Sequence, residues 1–135
     1  MKIDSVRRSD GEIMKIRDIS PAHELSLYLD IRGCSPCKDL AFKYLNLITV
    51  KSTDSKPNVI INNIKNRDLL VMQKEYHDKF QFYNIEKCPF VSVYGEDIAN
   101  PIFFSLDSEG SIDQCFLVNY DEEEALKAFC NSYYE

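Results

Sequence analysis

No stretch of this 135-residue chain approaches the roughly 18 consecutive apolar residues that a membrane-spanning helix needs. It has no basic cluster beyond Arg7-Arg8, and a net charge of −6 argues against a nucleic-acid surface. No internal repeat or low-complexity segment interrupts it, so one domain is expected, long enough to bury a real core. Residues 1–11 are polar and charged and lack an apolar h-region. No signal peptide is therefore expected, and membrane contact would require a tether outside this sequence. The two histidines, His23 and His77, are isolated and are read as surface residues, not as metal ligands.

Five cysteines are present, and two of them, Cys34 and Cys37, enclose Ser35-Pro36. A strand-like run at 25–32 precedes this tetrapeptide. There Leu25, Leu27, Leu29 and Ile31 share one face, and Ser26, Tyr28, Asp30 and Arg32 share the other. A helix-like run follows over 38–48. Cys37, Leu40, Ala41, Tyr44, Leu45 and Ile48 recur at helical spacing and form one apolar stripe. Pro36 suits the first helical turn and Ser35 suits an N-cap.

This places Cys34 at a helix N-terminus, where unpaired N–H groups and the macrodipole favour a thiolate. Such a pair suits thiol–disulfide exchange. A structural disulfide or an inert reduced pair remains open. Half a zinc site is disfavoured, because no second Cys-x-x-Cys pair follows. Cys88 reads as a loop cysteine beside Pro89, and Cys115 and Cys130 as small buried hydrophobes.

Residues 12–19 read as a strand or extended arm, broken by Ser20-Pro21, and 58–62 as a short buried strand. Asn66 is expected to cap a helix running through Leu69, Met72, Tyr76 and Phe80. Residues 81–100 carry no clear signal. A strand at 101–106, a turn over Asp107-Ser108-Glu109-Gly110 and a returning strand at 112–118 follow. Asp121 with Glu124 is expected to open a last helix with Ala125, Leu126, Phe129, Cys130 and Tyr133 on its apolar side. The aromatics Phe80, Phe82, Tyr83, Phe90, Phe103, Phe104 and Phe116 are candidate core. A strand–helix–strand crossover demands parallel pairing, and the hairpin adds antiparallel strands. The expectation is an α/β domain with a mixed central sheet and helices on both faces.

The Cys34-Ser35-Pro36-Cys37-Lys38 run behind its strand, Asn100-Pro101 opening a later strand, the 107–110 hairpin and the closing acidic helix together resemble the thioredoxin fold. Residues 101–112 are similar to the proline–strand–Asp-x-x-Gly–strand passage of TlpA-like thiol-disulfide oxidoreductases. The resemblance implies a polar arm over 1–11 and a thioredoxin-like domain over 12–135. It implies Cys34 as nucleophile, Cys37 as resolving thiol and Pro101 as a cis-proline facing the disulfide. The implied partners are a protein disulfide or dithiol substrate and an upstream redox protein. No cofactor is needed, since the disulfide itself carries the electrons. Exported members of that group would place the protein in the bacterial periplasm or envelope, whereas a natural start at Met1 would place it in the cytoplasm.

The sequence departs from the pattern in four ways. Asp30-Ile31-Arg32-Gly33 stands where an aromatic-rich approach is usual, there is no tryptophan, Ser-Pro stands between the cysteines where Gly-Pro is usual, and Tyr28 occupies the place of a buried acid, for which Asp30, two residues on along the same face, is the candidate substitute. Two other readings stand beside exchange. One is a catalytically silent binding module with a structural disulfide. The other is a thiol peroxidase using Cys34 with Arg32 nearby.

Overall fold

The computed structural model describes residues 5–8, 10–19, 24–51, 56–76, 79–95 and 98–133. In chain order these form β1 (Ser5–Arg7), β2 (Ile13–Lys15), α1 (Ile16–Ile19), β3 (Ser26–Asp30), α2 (Ser35–Lys51) and β4 (Asn58–Asn62). Then come α3 (Asn66–Glu75), β5 (Gln81–Ile85), α4 (Val91–Tyr94), β6 (Ile102–Leu106), β7 (Ile112–Leu117) and α5 (Glu123–Tyr133). The strands make one mixed sheet in the order β2-β1-β5-β4-β3-β6-β7. Its centre, β5-β4-β3, is parallel, and β1, β2, β6 and β7 extend it by antiparallel pairing.

Strands β3 and β4 are buried at every position, as central strands covered on both faces must be. Their side chains alternate between two cores. Leu27, Leu29, Val59, Ile61, Phe82 and Phe103 face one core; Tyr28, Ile60, Tyr83, Ile102 and Phe104 face the other. The first core is closed by α2, α3 and α5 through Leu40, Ala41, Leu45, Leu69, Leu126 and Cys130. The steps β3 to β4 and β4 to β5 run the same way across the sheet, and right-handed crossovers then put α2 and α3 on the same face. The second core is closed by Ile16 of α1, by Phe90 at the N-cap of α4 and by Tyr94 within it. Full burial of a side chain of this size contributes about 1.5–3 kcal/mol.

The structure departs from the sequence expectations in several places. Part of the segment read as a polar arm is strand β1, which pairs with β2 and with β5. Only Val6 of its three residues is buried, so it carries no alternating pattern to read. Residues 12–19 split into a three-residue strand and a turn of helix. Residues 81–85, left unassigned, form β5; the polar Gln81 and Asn84 mask Phe82, Tyr83 and Ile85. Helix α3 starts at Asn66 itself. Lys65 is its N-cap and makes no side-chain bond, so the expected Asn66 cap is absent. Helix α5 starts at Glu123, two residues beyond the expected Asp121 cap. His23 and His77 lie outside the described residues. Among those described, no helix is long and apolar enough to cross a membrane.

Candidate active site

Strand β3 ends in a tight turn that aims the chain at the cysteines. The Gly33 N–H donates to the Asp30 carbonyl at 2.9 Å, and the Asp30 carboxylate accepts the Arg32 N–H at 2.9 Å. An aspartate at the first position of such a turn bonds its own backbone two residues on. The same carboxylate accepts two bonds from the Arg32 guanidinium, at 2.8 and 3.0 Å, and one from Asn63 Nδ2 at 3.2 Å. Its side chain is 2 % exposed. Arg32 holds the Asp30 carboxyl below the usual aspartate value, against the opposing effect of burial. Asp30 is thus a charged brace beneath the turn.

Cys34, not Ser35, occupies the N-cap of α2. Its carbonyl accepts the Lys38 N–H at 3.0 Å, the first bond of the helix, and its Sγ accepts the Cys37 N–H at 3.3 Å. An N-cap side chain normally offers oxygen to the second or third N–H of the helix. Pro36 has no N–H to offer, so the Cys37 N–H is the one aimed at the sulfur. Cys34 and Cys37 are joined as a disulfide with Cα atoms 5.2 Å apart. The two sulfur-bearing residues differ in access: Cys34 is half-buried, with exposed Ser35 and Pro36 after it, while Cys37 is 2 % exposed. Lys38 turns back to donate to the Ile31 carbonyl at 3.2 Å.

The loop before β6 closes over this pair. A Cβ on Gly33 would collide with the Ala99 carbonyl oxygen, so glycine is what lets the two backbones meet. Next in line, Asn100 Nδ2 lies 3.9 Å from Cys37 Sγ. The same nitrogen donates to the Val118 carbonyl and to Asn119 Oδ1, both at 2.9 Å. Pro101 is buried and its carbonyl accepts the Val118 N–H at 2.8 Å.

The expected cis bond at Asn100-Pro101 is not there: no described peptide bond is cis. The trans form is favoured for any X–Pro bond by about 0.5–1 kcal/mol. With a trans bond the loop still reaches the CxxC turn, through Ala99 and Asn100. The contact with the disulfide is made by the Asn100 side chain, at 3.9 Å from Cys37 Sγ.

No protein-family model and no curated protein sequence matches the chain. Solved structures do. A Chlorobium tepidum protein provisionally assigned as the thiol:disulfide interchange protein DsbE aligns over 97% of this chain and 92% of its own, with TM-score 0.65 and 16% identity. The exposed lipoprotein thioredoxin of Streptococcus pneumoniae strain TIGR4 aligns over 98% and 99%, with TM-score 0.63 and 13% identity. A thiol-disulfide isomerase from Corynebacterium glutamicum aligns over 100% and 95%, with TM-score 0.61 and 15% identity. The fold is thioredoxin-like. Within it, the Cys-x-x-Cys pair heads the helix that follows the central strand β3.

A second buried polar group of the thioredoxin-like sheet lies where the sequence pattern would place an acid. Tyr28 is fully buried on the face opposite α2, and its hydroxyl accepts from Asn62 Nδ2 at 3.3 Å. Burial first, then a hydrogen bond with Cys88, pushes its pKa well above the ordinary phenol value. Burial thus favours the neutral phenol of Tyr28. Cys115 is half-buried against the Tyr94 hydroxyl at 3.6 Å, and Cys130 is buried with α5 in the first core.

Proposed function

We propose that this protein is a thiol-disulfide oxidoreductase, exchanging electrons with protein disulfides or dithiols through Cys34 and Cys37. The observation that carries the reading is the asymmetry of the pair at the start of α2. Cys34 is within reach of solvent and takes a helix N–H, while Cys37 is buried one turn in. A thiolate on Cys34 attacks one sulfur of a substrate disulfide. The substrate S–S bond breaks, a mixed disulfide forms, and the first substrate thiolate leaves. Cys37 then loses its proton to water and attacks Cys34 Sγ. The mixed S–S bond breaks, the second substrate thiolate departs, and the Cys34–Cys37 disulfide remains. Two electrons pass to the substrate. The reverse sequence oxidises a substrate dithiol, and the direction follows the reduction potential of the pair. Pro101 is proposed only as the buried residue between Asn100 and β6.

The exchange reading is favoured over a peroxidase because the Arg32 guanidinium that a peroxidase would use donates twice to Asp30. Insulin reduction with dithiothreitol, run beside a peroxide-consumption assay, tests the proposal. Insulin precipitation that depends on Cys34 supports exchange. Peroxide turnover without insulin reduction, or no turnover of either, overturns it.

A further inference from the structure

We propose that Asp30 is a positioning residue for Cys34: its carboxylate locks the turn that aims Cys34 Sγ at the Cys37 N–H, and so stabilises the Cys34 thiolate. This rests on the exchange reading above. Three residues, Ile31, Arg32 and Gly33, join β3 to Cys34, and the backbone N–H of each is bonded. Ile31 donates to the Asn62 carbonyl at 3.2 Å, Arg32 to Asp30 Oδ1 at 2.9 Å and Gly33 to the Asp30 carbonyl at 2.9 Å. With Gly33 also seated against Ala99, this segment delivers Cys34 in one orientation. At its end Cys34 Sγ accepts the Cys37 N–H at 3.3 Å. A bond to the charged form favours a thiolate, and it weakens steeply when donor and acceptor are misaligned.

The carboxylate is itself held from two sides. Arg32 grips both of its oxygens, and Asn63 Nδ2 donates to Oδ2 at 3.2 Å. Asn63 has a φ of 65°, the only positive φ outside glycine among the described residues. Such a conformation costs energy and gathers at functional sites, and asparagine tolerates it better than most residues. The charged and titratable groups described around the turn are these. Asp30 and Arg32 bind each other, and Lys38 of α2 reaches the Ile31 carbonyl. The buried Tyr28 phenol feels the Asp30 charge. Asp39 of α2, Lys65 before α3 and Asp121 beyond β7 are exposed, and Ile98 to Asn100 carry no charge. The charge of Asp30 by itself opposes a thiolate on Cys34, since like charges repel. Its geometry and its charge therefore act on Cys34 with opposite signs.

The test uses a Cys37→Ser protein, which keeps the N–H of residue 37 and leaves Cys34 a free thiol. Iodoacetamide alkylation of Cys34 is followed against pH by peptide mapping, which separates it from Cys88, Cys115 and Cys130. Asp30→Ala removes the turn's acceptor and should raise the midpoint by about one pH unit, a tenfold loss of thiolate near neutrality. Asp30→Asn loses the charge but keeps an oxygen for the Arg32 N–H, and should leave the midpoint at or slightly below the parent's. A midpoint that is unchanged or lowered in folded Asp30→Ala, or raised as far in Asp30→Asn, overturns the proposal. If the alanine variant does not fold, Asn63→Gly decides. It suits the positive φ, removes one bond to the carboxylate and should raise the midpoint by a smaller amount; no change there overturns the proposal. Alkylation needs no turnover, so a protein inactive on insulin would sink the exchange reading and leave this measurement intact.

Discussion

Gly33 and Ala99 meet backbone to backbone, the Ala99 carbonyl oxygen occupying the space where any other residue at 33 would carry its Cβ. The contact fastens the loop before β6 onto the turn that leads into the cysteines. Gly33→Ala should therefore push that loop away and destabilise the protein by about 1–3 kcal/mol, the usual cost of forcing a methyl into a filled space. Urea unfolding measures the stability. A variant as stable as the parent would show that the loop gives way freely.

Cys34 should be alkylated before any other cysteine when the reduced protein meets iodoacetamide briefly near neutral pH. It is the more exposed of the pair and accepts a helix N–H. Its pKa should fall below the ~8.5 of a free thiol. Cys34→Ser should abolish exchange, and Cys37→Ser should accumulate mixed disulfides with substrate, because nothing remains to resolve them. Peptide mapping that finds Cys37 or Cys88 modified first would reverse the assignment of roles.

Asp30 should make stability depend on pH at the acid end. Its carboxyl is held below the usual value, chiefly by Arg32. The fold thus favours the ionised form. That contribution is fully present above about pH 4 and is lost as the pH falls through the folded-state pKa. Urea midpoints taken from pH 7 down to pH 2 should fall more steeply for the parent than for Asp30→Asn. Parallel slopes would show that the pairing with Arg32 and Asn63 adds nothing.

Tyr28→Phe should destabilise the protein by about 1–3 kcal/mol although it removes a single oxygen. Asn62 is buried, its Oδ1 has no partner, and Tyr28 is the acceptor for its Nδ2. Without the hydroxyl the buried carboxamide would be left unpaired at both ends. A phenylalanine variant of unchanged urea midpoint would mean that water reaches Asn62.

Local pattern was enough for much of this molecule. The apolar stripe from Cys37 to Ile48 and the β-branched run at 58–62 obey the periods of their elements, so α2 and β4 are readable without a fold. The Cys-x-x-Cys spacing at a helix start likewise names its own chemistry, because the helix terminus and the thiol are neighbours in sequence. Two interior strands were not readable. Strand β1 has one inward residue, β5 alternates polar with apolar irregularly, and both are strands because neighbours pair with them. Asn100 is the sharpest case. It lies 63 positions from Cys37, and although Pro101 marks the start of a strand, nothing local aims the Asn100 side chain at that sulfur. Its place beside the sulfur follows from β6 pairing antiparallel to β3, from Gly33 yielding space to Ala99, and from Val118 and Asn119 turning the amide. Those are long-range contacts, and long-range contacts exist only once the chain has closed its sheet.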